Sequence, residues 1–490
     1  MSTGAAYQLL VNTGSQDKLL LATDLLNSRL NFIRDKRCRD PNIADPTPTL
    51  TDIEQTHLLF LHAHYKPFVA TAYEYMRSPV TAGVPNFGTE ITFSIPQFGD
   101  FFNDMIVNFT LSSFSDNNPA GLARYCDFPG HRIIKRARFE VNSNFLDEYD
   151  SHTYNMHYNF RVSSARRKSW LRCIGQEIPK PLYVDTVPGF REVKYICNGP
   201  QTPKNVQPPL ELFVPLIFWF NEDPRLSIPS AAIPYGQRFI KLLLCNVDEL
   251  CYSSISPNYP QITNCEIIIN NIFVNEEIHN IFIKRVGFSI IRVHRIQRVN
   301  NITPVSGSIK LDELKYPIEL IYIGILPEIN EAVPNNMTDW YKYYYIDNQP
   351  VPTTVAYINP LPPPTYSVGV GVTSLQIPRR SLTSIAFQSH GIDIYKEFKS
   401  DFYDNVINYI FGSETFNSAE EFGIYLINFS IYTGTYQPTG YFNTSQTREN
   451  YFNYQSTSIT VGQPASLIMV AVAINFLLIG NDTAILRYYL

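Results

Sequence analysis

The run Ser466-Leu-Ile-Met-Val-Ala-Val-Ala-Ile-Asn-Phe-Leu-Leu-Ile-Gly480 decides what kind of chain this is. It is the longest apolar stretch of the sequence, it is interrupted at Asn475, and it falls short of the roughly 20 residues a membrane-spanning helix needs. Ile468, Val470, Val472, Ile474 and Phe476 recur within it at every second position, the period of a strand. The run is therefore expected to be a core strand, and the rest of the chain has to supply its sheet.

The same period recurs on both sides of the molecule. Ile91, Phe93 and Ile95 alternate with Thr92 and Ser94, and Met105, Val107, Phe109 and Leu111 alternate with Asn108 and Thr110. Farther on, Val286, Phe288 and Ile290 follow the pattern, and then Ile318, Leu320 and Tyr322. The segment Leu212 to Phe220 is continuously apolar, which predicts a strand covered on both faces or at a subunit contact, and Pro215 inside it predicts an edge or a bulge. Tyr (32) and Phe (32) are heavily used, while Pro (35) punctuates the whole length and would break long helices, so helix should be scarce. One helix is expected, between Asp17 and Lys36, where Leu19, Leu20, Ala22, Leu25, Leu26, Leu30 and Ile33 recur at helical spacing. It packs on the body or docks a neighbour or membrane.

At 490 residues the chain holds more than one ordinary domain. Turn formers gather between Val247 and Ile262 and suggest a boundary. The expected division is residues 1–50 as a base segment with an amphipathic helix, 51–250 as a first β-domain, 251–262 as a linker and 263–490 as a second β-domain. Long turn-rich connections lie at Pro327 to Asp339, at Asn348 to Ser367 with Pro360 to Pro364 inside it, and at Ser413 to Glu420. Loops of that length usually carry contacts.

Charged residues are 17% of the chain, below the quarter usual in soluble domains, which favours surface that meets other protein. A net charge of −5 argues against a protein that coats nucleic acid, and no sequence-specific nucleic-acid binding is expected. Basic clusters at Arg132 to Arg138, Arg161 to Arg172 and Lys284 to Arg298 read first as solvated faces or salt bridges between subunits, and second as contacts to genome or lipid headgroups. The seven cysteines are odd in number and absent after Cys265, which points to free thiols and a reducing compartment. His57, His62 and His64 have no Cys, Asp or Glu among them to complete a metal set. Cys245 and Cys251 lack zinc spacing, and glycine loops for phosphate or a nucleophile elbow are missing. Asp147 and Glu148 are adjacent, so on a strand they face opposite ways and cannot act as one acid–base pair. No catalytic residue, metal or cofactor is expected.

Short strings in one order carry a resemblance. They include Asp24-Leu-Leu-Asn-Ser-Arg29, Ala63-His-Tyr-Lys-Pro67, Ile95-Pro-Gln-Phe-Gly-Asp-Phe-Phe102, Leu146-Asp-Glu-Tyr149, Cys197-Asn-Gly-Pro-Gln-Thr-Pro-Lys204 and Phe218-Trp-Phe-Asn-Glu222. They continue with Glu277-Ile-His-Asn280, Ile291-Arg-Val-His294, Tyr436-Gln-Pro-Thr-Gly440, Ala473-Ile-Asn-Phe-Leu-Leu478 and Ala484-Ile-Leu-Arg-Tyr488. In these the chain resembles the major capsid proteins of nucleocytoplasmic large DNA viruses, in their asfarvirus-like branch.

The resemblance implies an all-β double jelly-roll, two tandem eight-stranded β-sandwich barrels, with a short amino-terminal helical segment and long surface loops. It implies a pseudo-hexameric homotrimeric capsomer that tiles an icosahedral virion capsid, made in the host cytoplasm. Its implied partners are further copies of itself, minor capsid and penton proteins, an internal viral membrane and a viral chaperone during folding. The segments between Leu111 and Cys126 and between Cys173 and Val187 look shorter than in the family, so the outer surface should be plainer. Pro438, Gly440, Asn443 and Ser445 form a structural signature, which an ordinary turn before a strand explains equally well. The competing reading from another class is a carbohydrate-binding β-sandwich or all-β hydrolase, since the same architecture serves lectins and cupins.

Overall fold

The computed structural model describes residues 15–44, 71–187, 190–233, 235–274, 287–350, 374–413, 423–480 and 483–487, together with 46, 49, 51, 52, 280, 416, 417 and 419. His57, His62, His64 and Pro360 to Pro364 lie outside the described residues.

Helix α1 spans Ser15–Arg39, slightly beyond its expected limits. The first sandwich then follows. Its eight principal strands are β1 (Thr71–Pro79), β2 (Glu90–Ser94), β3 (Phe101–Leu111), β4 (Ile134–Val141), β5 (Asn144–Asp150), β6 (Leu210–Pro215), β7 (Arg238–Leu244) and β8 (Ile262–Val274). They form two sheets, ordered β1-β8-β3-β6 and β2-β7-β4-β5. The second sandwich has β9 (Gly287–Ile302), β10 (Ser306–Lys310), β11 (Pro317–Pro327), β12 (Ser384–Ser389), β13 (Ile392–Lys399), β14 (Ile424–Asn428), β15 (Asn450–Gln455) and β16 (Ala465–Gly480). Its sheets are ordered β9-β16-β11-β14 and β10-β15-β12-β13, so the two sandwiches share one topology, that of a double jelly-roll.

Local chemistry sets the turns. The β4-β5 hairpin closes through Asn142 and Ser143, and the β12-β13 hairpin through His390 and Gly391, all four with positive φ. A two-residue turn of that hand matches the right-handed twist of the strands it joins. The run from Ser466 is indeed a strand: β16 sits between β9 and β11 and is buried for most of its length. Strand β11 is buried at every position. One face of the β9-β16-β11-β14 sheet packs on its own partner sheet, and the first sandwich packs against part of the other, with Asp147 on His294 and Phe160 on Tyr322. Burial on both faces explains why these strands read as unbroken apolar runs.

Three expectations are corrected. The apolar run from Leu212 stops being a strand at Pro215, which ends edge strand β6, and Trp219–Glu222 turns into a short helix. Helix is less scarce than expected, because Ser151–Arg161 (α2) and Ser164–Cys173 (α3) lie between β5 and β6. Asp150 caps α2 by accepting the Thr153 N–H at 2.7 Å. Finally, 251–262 is no linker. Cys251–Ser253 pairs with Ala123–Tyr125, Pro257–Asn258 pairs with Phe114–Asp116, and β8 starts at Ile262, all in the first sandwich. The sheets change only between Val274 and Gly287.

Packing leaves little slack. A Cβ added at Gly324 on β11 would meet the ring of fully buried Tyr343 at 2.4 Å, whereas one at Gly462 would meet nothing within 4 Å. Gly324→Ala is expected to cost about 1–3 kcal/mol through overpacking. Gly462→Ala should be close to neutral, and thermal denaturation of the two variants compares them directly.

Candidate functional site: the seam between the sandwiches

The chemically dense part of the described structure is where the two sandwiches meet. Strand β5 runs against β9. Asp147, fully buried, accepts hydrogen bonds from the His294 backbone N–H at 2.8 Å and from its Nδ1 at 3.1 Å, and the Arg295 guanidinium lies 3.9 Å away. Its neighbour Glu148 faces the other way, toward Arg138 and Arg136, as alternation on a strand requires.

Helix α2 carries the contact onward. Phe160 stacks on Tyr322 of β11 at 4.8 Å and on Phe416 at 5.5 Å. The Asn417 amides donate to the Phe160 and Val162 carbonyls at 2.7 and 2.8 Å. His152 meets the Tyr343 hydroxyl at 3.2 Å and lies 3.8 Å from Glu331. Arg161 pairs with Glu222, and His157 lies 3.5 Å from the same carboxylate. From the second sandwich, Arg292 forks onto Glu319 and also donates to the Thr435 carbonyl at 2.7 Å. Arg225 lies 3.8 Å over the Tyr436 ring. At a second contact, Arg132 donates to the Asn336 carbonyl at 2.6 Å, and Trp340 Nε1 donates to the Asp127 carbonyl at 2.7 Å.

Burial and charge set the protonation of these groups. Burial alone would raise Glu222, but Arg161 and His157 hold it down to about 2. Burial pushes His157 down to about 4 against the pull of Glu222. Burial also opposes the charged form of His294, yet the Asp147 carboxylate raises it above its ordinary value.

The arrangement fastens rather than reacts. A cavity of about 470 Å³ opens beside the seam, bordered by Tyr75, Asp104, Arg161, Trp219, Glu222 and Tyr436; Glu222 and Asp223 are engaged by arginines, and burial raises the carboxyl of Asp104 above its ordinary value. Among the described residues no group of three His, Cys, Asp or Glu is placed to hold a metal. All seven cysteines are free thiols. Much of the basic clusters is spent inside the chain. Lys135 pairs with Glu249, Arg138 with Glu148, Arg292 with Glu319 and Arg298 with Glu331. Buried Arg167 donates to the Asn159 and Val162 carbonyls. These pairings lie within the chain, at residues whose clusters suggested solvated faces or salt bridges between subunits.

Pro438, Gly440, Asn443 and Ser445 lie on the connection after β14. A Cβ at Gly440 would come 2.9 Å from the Phe429 carbonyl oxygen, and Asn443 Oδ1 accepts the Ser445 N–H at 3.1 Å. Phe442–Asn443 pairs with Pro317–Ile318 of β11. The anchor of this turn is Thr444, which sequence reading passed over. It is fully buried, and its Oγ1 accepts the Tyr316 N–H at 2.9 Å and donates to carbonyls of the same segment. The seam itself is reached by Thr435 and Tyr436. Nothing local in the sequence marked Asp147, His294 or Arg161 as partners, because each pairing joins distant segments.

The family model described as "Major capsid protein N-terminus" matches residues 61–275, the span that ends with β8. The hexon protein of African swine fever virus is 30% identical over an alignment that covers 100% of both chains. That alignment has 654 positions against 490 residues here, so the relative carries long insertions. The solved Faustovirus major capsid protein superposes with a TM-score of 0.77 at 30% identity, over 94% of this chain and 98% of that one. The chain of the PBCV-1 virus capsid gives a TM-score of 0.64 at 18% identity, over 87% of this chain and 99% of that one, a likeness of fold.

Removing the Asp147 carboxylate would strand His294 and Arg295 in the seam. Asp147→Ala is expected to destabilise the chain by about 3–5 kcal/mol in denaturant unfolding, with a deficit smaller than the sum of single effects when His294→Leu is added.

The seam also fixes a pH dependence. The unfolded chain takes up protons at His157's ordinary 6.5 before the folded chain does at about 4, so that stabilisation is present above pH 6.5 and lost as pH falls toward 4. Glu222 adds a loss between 4.5 and 2. His294 works in the opposite sense: its contribution is complete below pH 6.5 and fades as pH rises through its folded value. The stability of His157→Gln should accordingly fall less than wild type between pH 6.5 and 4, measured by urea titration at each pH.

Proposed function

The chain belongs to the major capsid proteins of large DNA viruses, and on that premise we propose that three copies close into a pseudo-hexameric capsomer that tiles an icosahedral shell. The protein is a structural component of a virion capsid, not an enzyme. The observation that carries the capsomer reading is the repeated strand order. Each chain brings two sandwiches of one topology, held in fixed relation by the buried seam, so three chains present six similar units around one axis.

The other partners follow from surfaces. In α1, Leu26 and Leu30 are buried while Leu25 and Phe32 are exposed, which leaves apolar side chains for a second contact. The Arg29–Asp52 ion pair fastens this helix to the segment that precedes the first sandwich. We place this segment on the inner side of the shell, toward minor capsid and penton proteins and an internal membrane. Free cysteines suit synthesis in the host cytoplasm, where a viral chaperone would guard the chain before its edges are covered. The plainer outer surface follows from the shorter chain.

Light scattering of the purified chain is expected to give three times its 56.1 kDa mass, with a hexagonal outline by negative-stain microscopy. A folded monomer at all concentrations would overturn the capsomer reading.

A further inference from the structure

Arginines enclosed by this fold have partners inside it, and Arg238 departs from that rule. Arg161 has Glu222, Arg292 has Glu319, and Arg295 lies beside Asp147. Arg132 donates to the Asn336 carbonyl, and Arg167 to the carbonyls of Asn159 and Val162. Arg238, which opens β7, is 3% exposed, and no carboxylate or carbonyl among the described residues meets its guanidinium. Its Nε and Nη1 are shut off from water without an acceptor, while Nη2 keeps a narrow access to the surface. The group overlies the Phe102 ring at 5.8 Å, and burial alone pushes its pKa down to about 10. It is still charged at neutral pH, so folding encloses a cation without an anion, at a cost in stability.

The backbone fixes Arg238 in that place. It pairs with Val141 of β4, and its carbonyl accepts the Ile95 N–H at 2.9 Å. It thus sits at the end of the first sandwich built from residues 95–100, 142–145, 230–233 and 235–237. Those residues include no lysine or further arginine, and their one carboxylate, Asp100, accepts the Val274 N–H at 2.8 Å. A second enclosed group at this end also lacks a partner: Ser230 is 1% exposed and its Oγ meets nothing. Ser230 directly follows Ile228–Pro229, the short strand that pairs with Phe101 and Phe102. Beside them Gln97, Tyr235 and Gln237 are exposed, Tyr235 by 87%.

We propose that Arg238 is a recognition residue, whose guanidinium receives the carboxylate of an acidic side chain carried by another polypeptide docked on this end of the first sandwich. A guanidinium is a planar fork of N–H donors that takes a carboxylate through two parallel bonds. One cation amid neutral loops suits one carboxylate, whereas a phosphate backbone is met by several cations in a row. The exposed Tyr235 ring offers apolar area that a chain can cover and a small free anion cannot. Docking neutralises the enclosed charge, so its cost falls on the undocked chain alone. The inference stands apart from the capsomer reading, which neither needs Arg238 nor accounts for it.

The test is thermal unfolding of the full chain followed by circular dichroism. Arg238→Met keeps the length of the side chain and removes its charge, and it is expected to melt at or above the wild-type temperature. Arg292→Met, which breaks a paired cation, is expected to melt several degrees lower. The probe is the blocked tripeptide acetyl-Leu-Glu-Leu-amide in excess, with acetyl-Leu-Gln-Leu-amide as its neutral counterpart. The glutamate peptide should raise the wild-type melting temperature by about 1–3 °C, and the glutamine peptide should leave it unchanged. Arg238→Met should respond to neither, and Arg238→Lys, with a charge but no fork, should respond more weakly than wild type. Melting of Arg238→Met as far below wild type as Arg292→Met places a partner inside the chain and overturns the inference. A glutamate peptide that shifts wild type and Arg238→Met alike, or shifts neither, overturns it too. A larger Arg238-dependent rise in sodium sulfate at equal ionic strength assigns the site to a phosphate-like anion and overturns the polypeptide partner.

Discussion

The rest of the structure depends on the buried pairing of Asp147 with His294 and Arg295. A jelly-roll sandwich satisfies its own backbone, so two of them on one chain would ordinarily drift as independent domains with a polar, movable interface. Here β5 lays a carboxylate with no solvent exposure against the backbone N–H and ring of His294, and α2 plants Phe160 on Tyr322. Groups that are costly to bury unpaired penalise any separation, while the aromatic stack and the doubly covered β9-β16-β11-β14 sheet supply the burial. The two sandwiches are consequently one rigid object.

Charge is used sparingly and mostly indoors. The chain is only 17% charged, and much of its basic clusters is spent on internal carboxylates and carbonyls, as with Arg161 on Glu222, Arg292 on Glu319 and Arg132 on the Asn336 carbonyl. What remains outside is apolar in places where a lone domain would carry lysines. Edge strands β1 and β13 display tyrosine, isoleucine and phenylalanine to the outside.

Much of the fold was legible one strand at a time. Period-two alternation located β2, β3 and β11, and the length and interruption of the 466–480 run identified β16 as a strand. Helices α2 and α3 were missed because their sequence, Ser151 to Cys173, is rich in polar, aromatic and basic residues, and its apolar positions are set by a neighbouring domain rather than by solvent on one side. The Leu212 to Phe220 run misled for a related reason: once both sides are buried, strand and short helix are equally apolar, and only Pro215 hinted at the stop. The turn-rich stretch before Ile262 marked a long loop inside a domain, because turn formers report a change of chain direction and not a change of sheet.

By itself the sequence determined the local terms: strand periodicity, turn chemistry, scarce charge, free cysteines, and strings that tie the chain to large-virus capsid proteins. Each depends on residues within a few positions of one another, so each can be read in order along the chain. Only the tertiary structure decided which sandwich owns β8, that Thr444 rather than its neighbours anchors the turn before β15, and that Asp147 meets His294 across 147 positions. Those outcomes rest on long-range packing, where the partner of a buried polar group is selected by the geometry of the whole sheet and leaves no mark on the residues beside it.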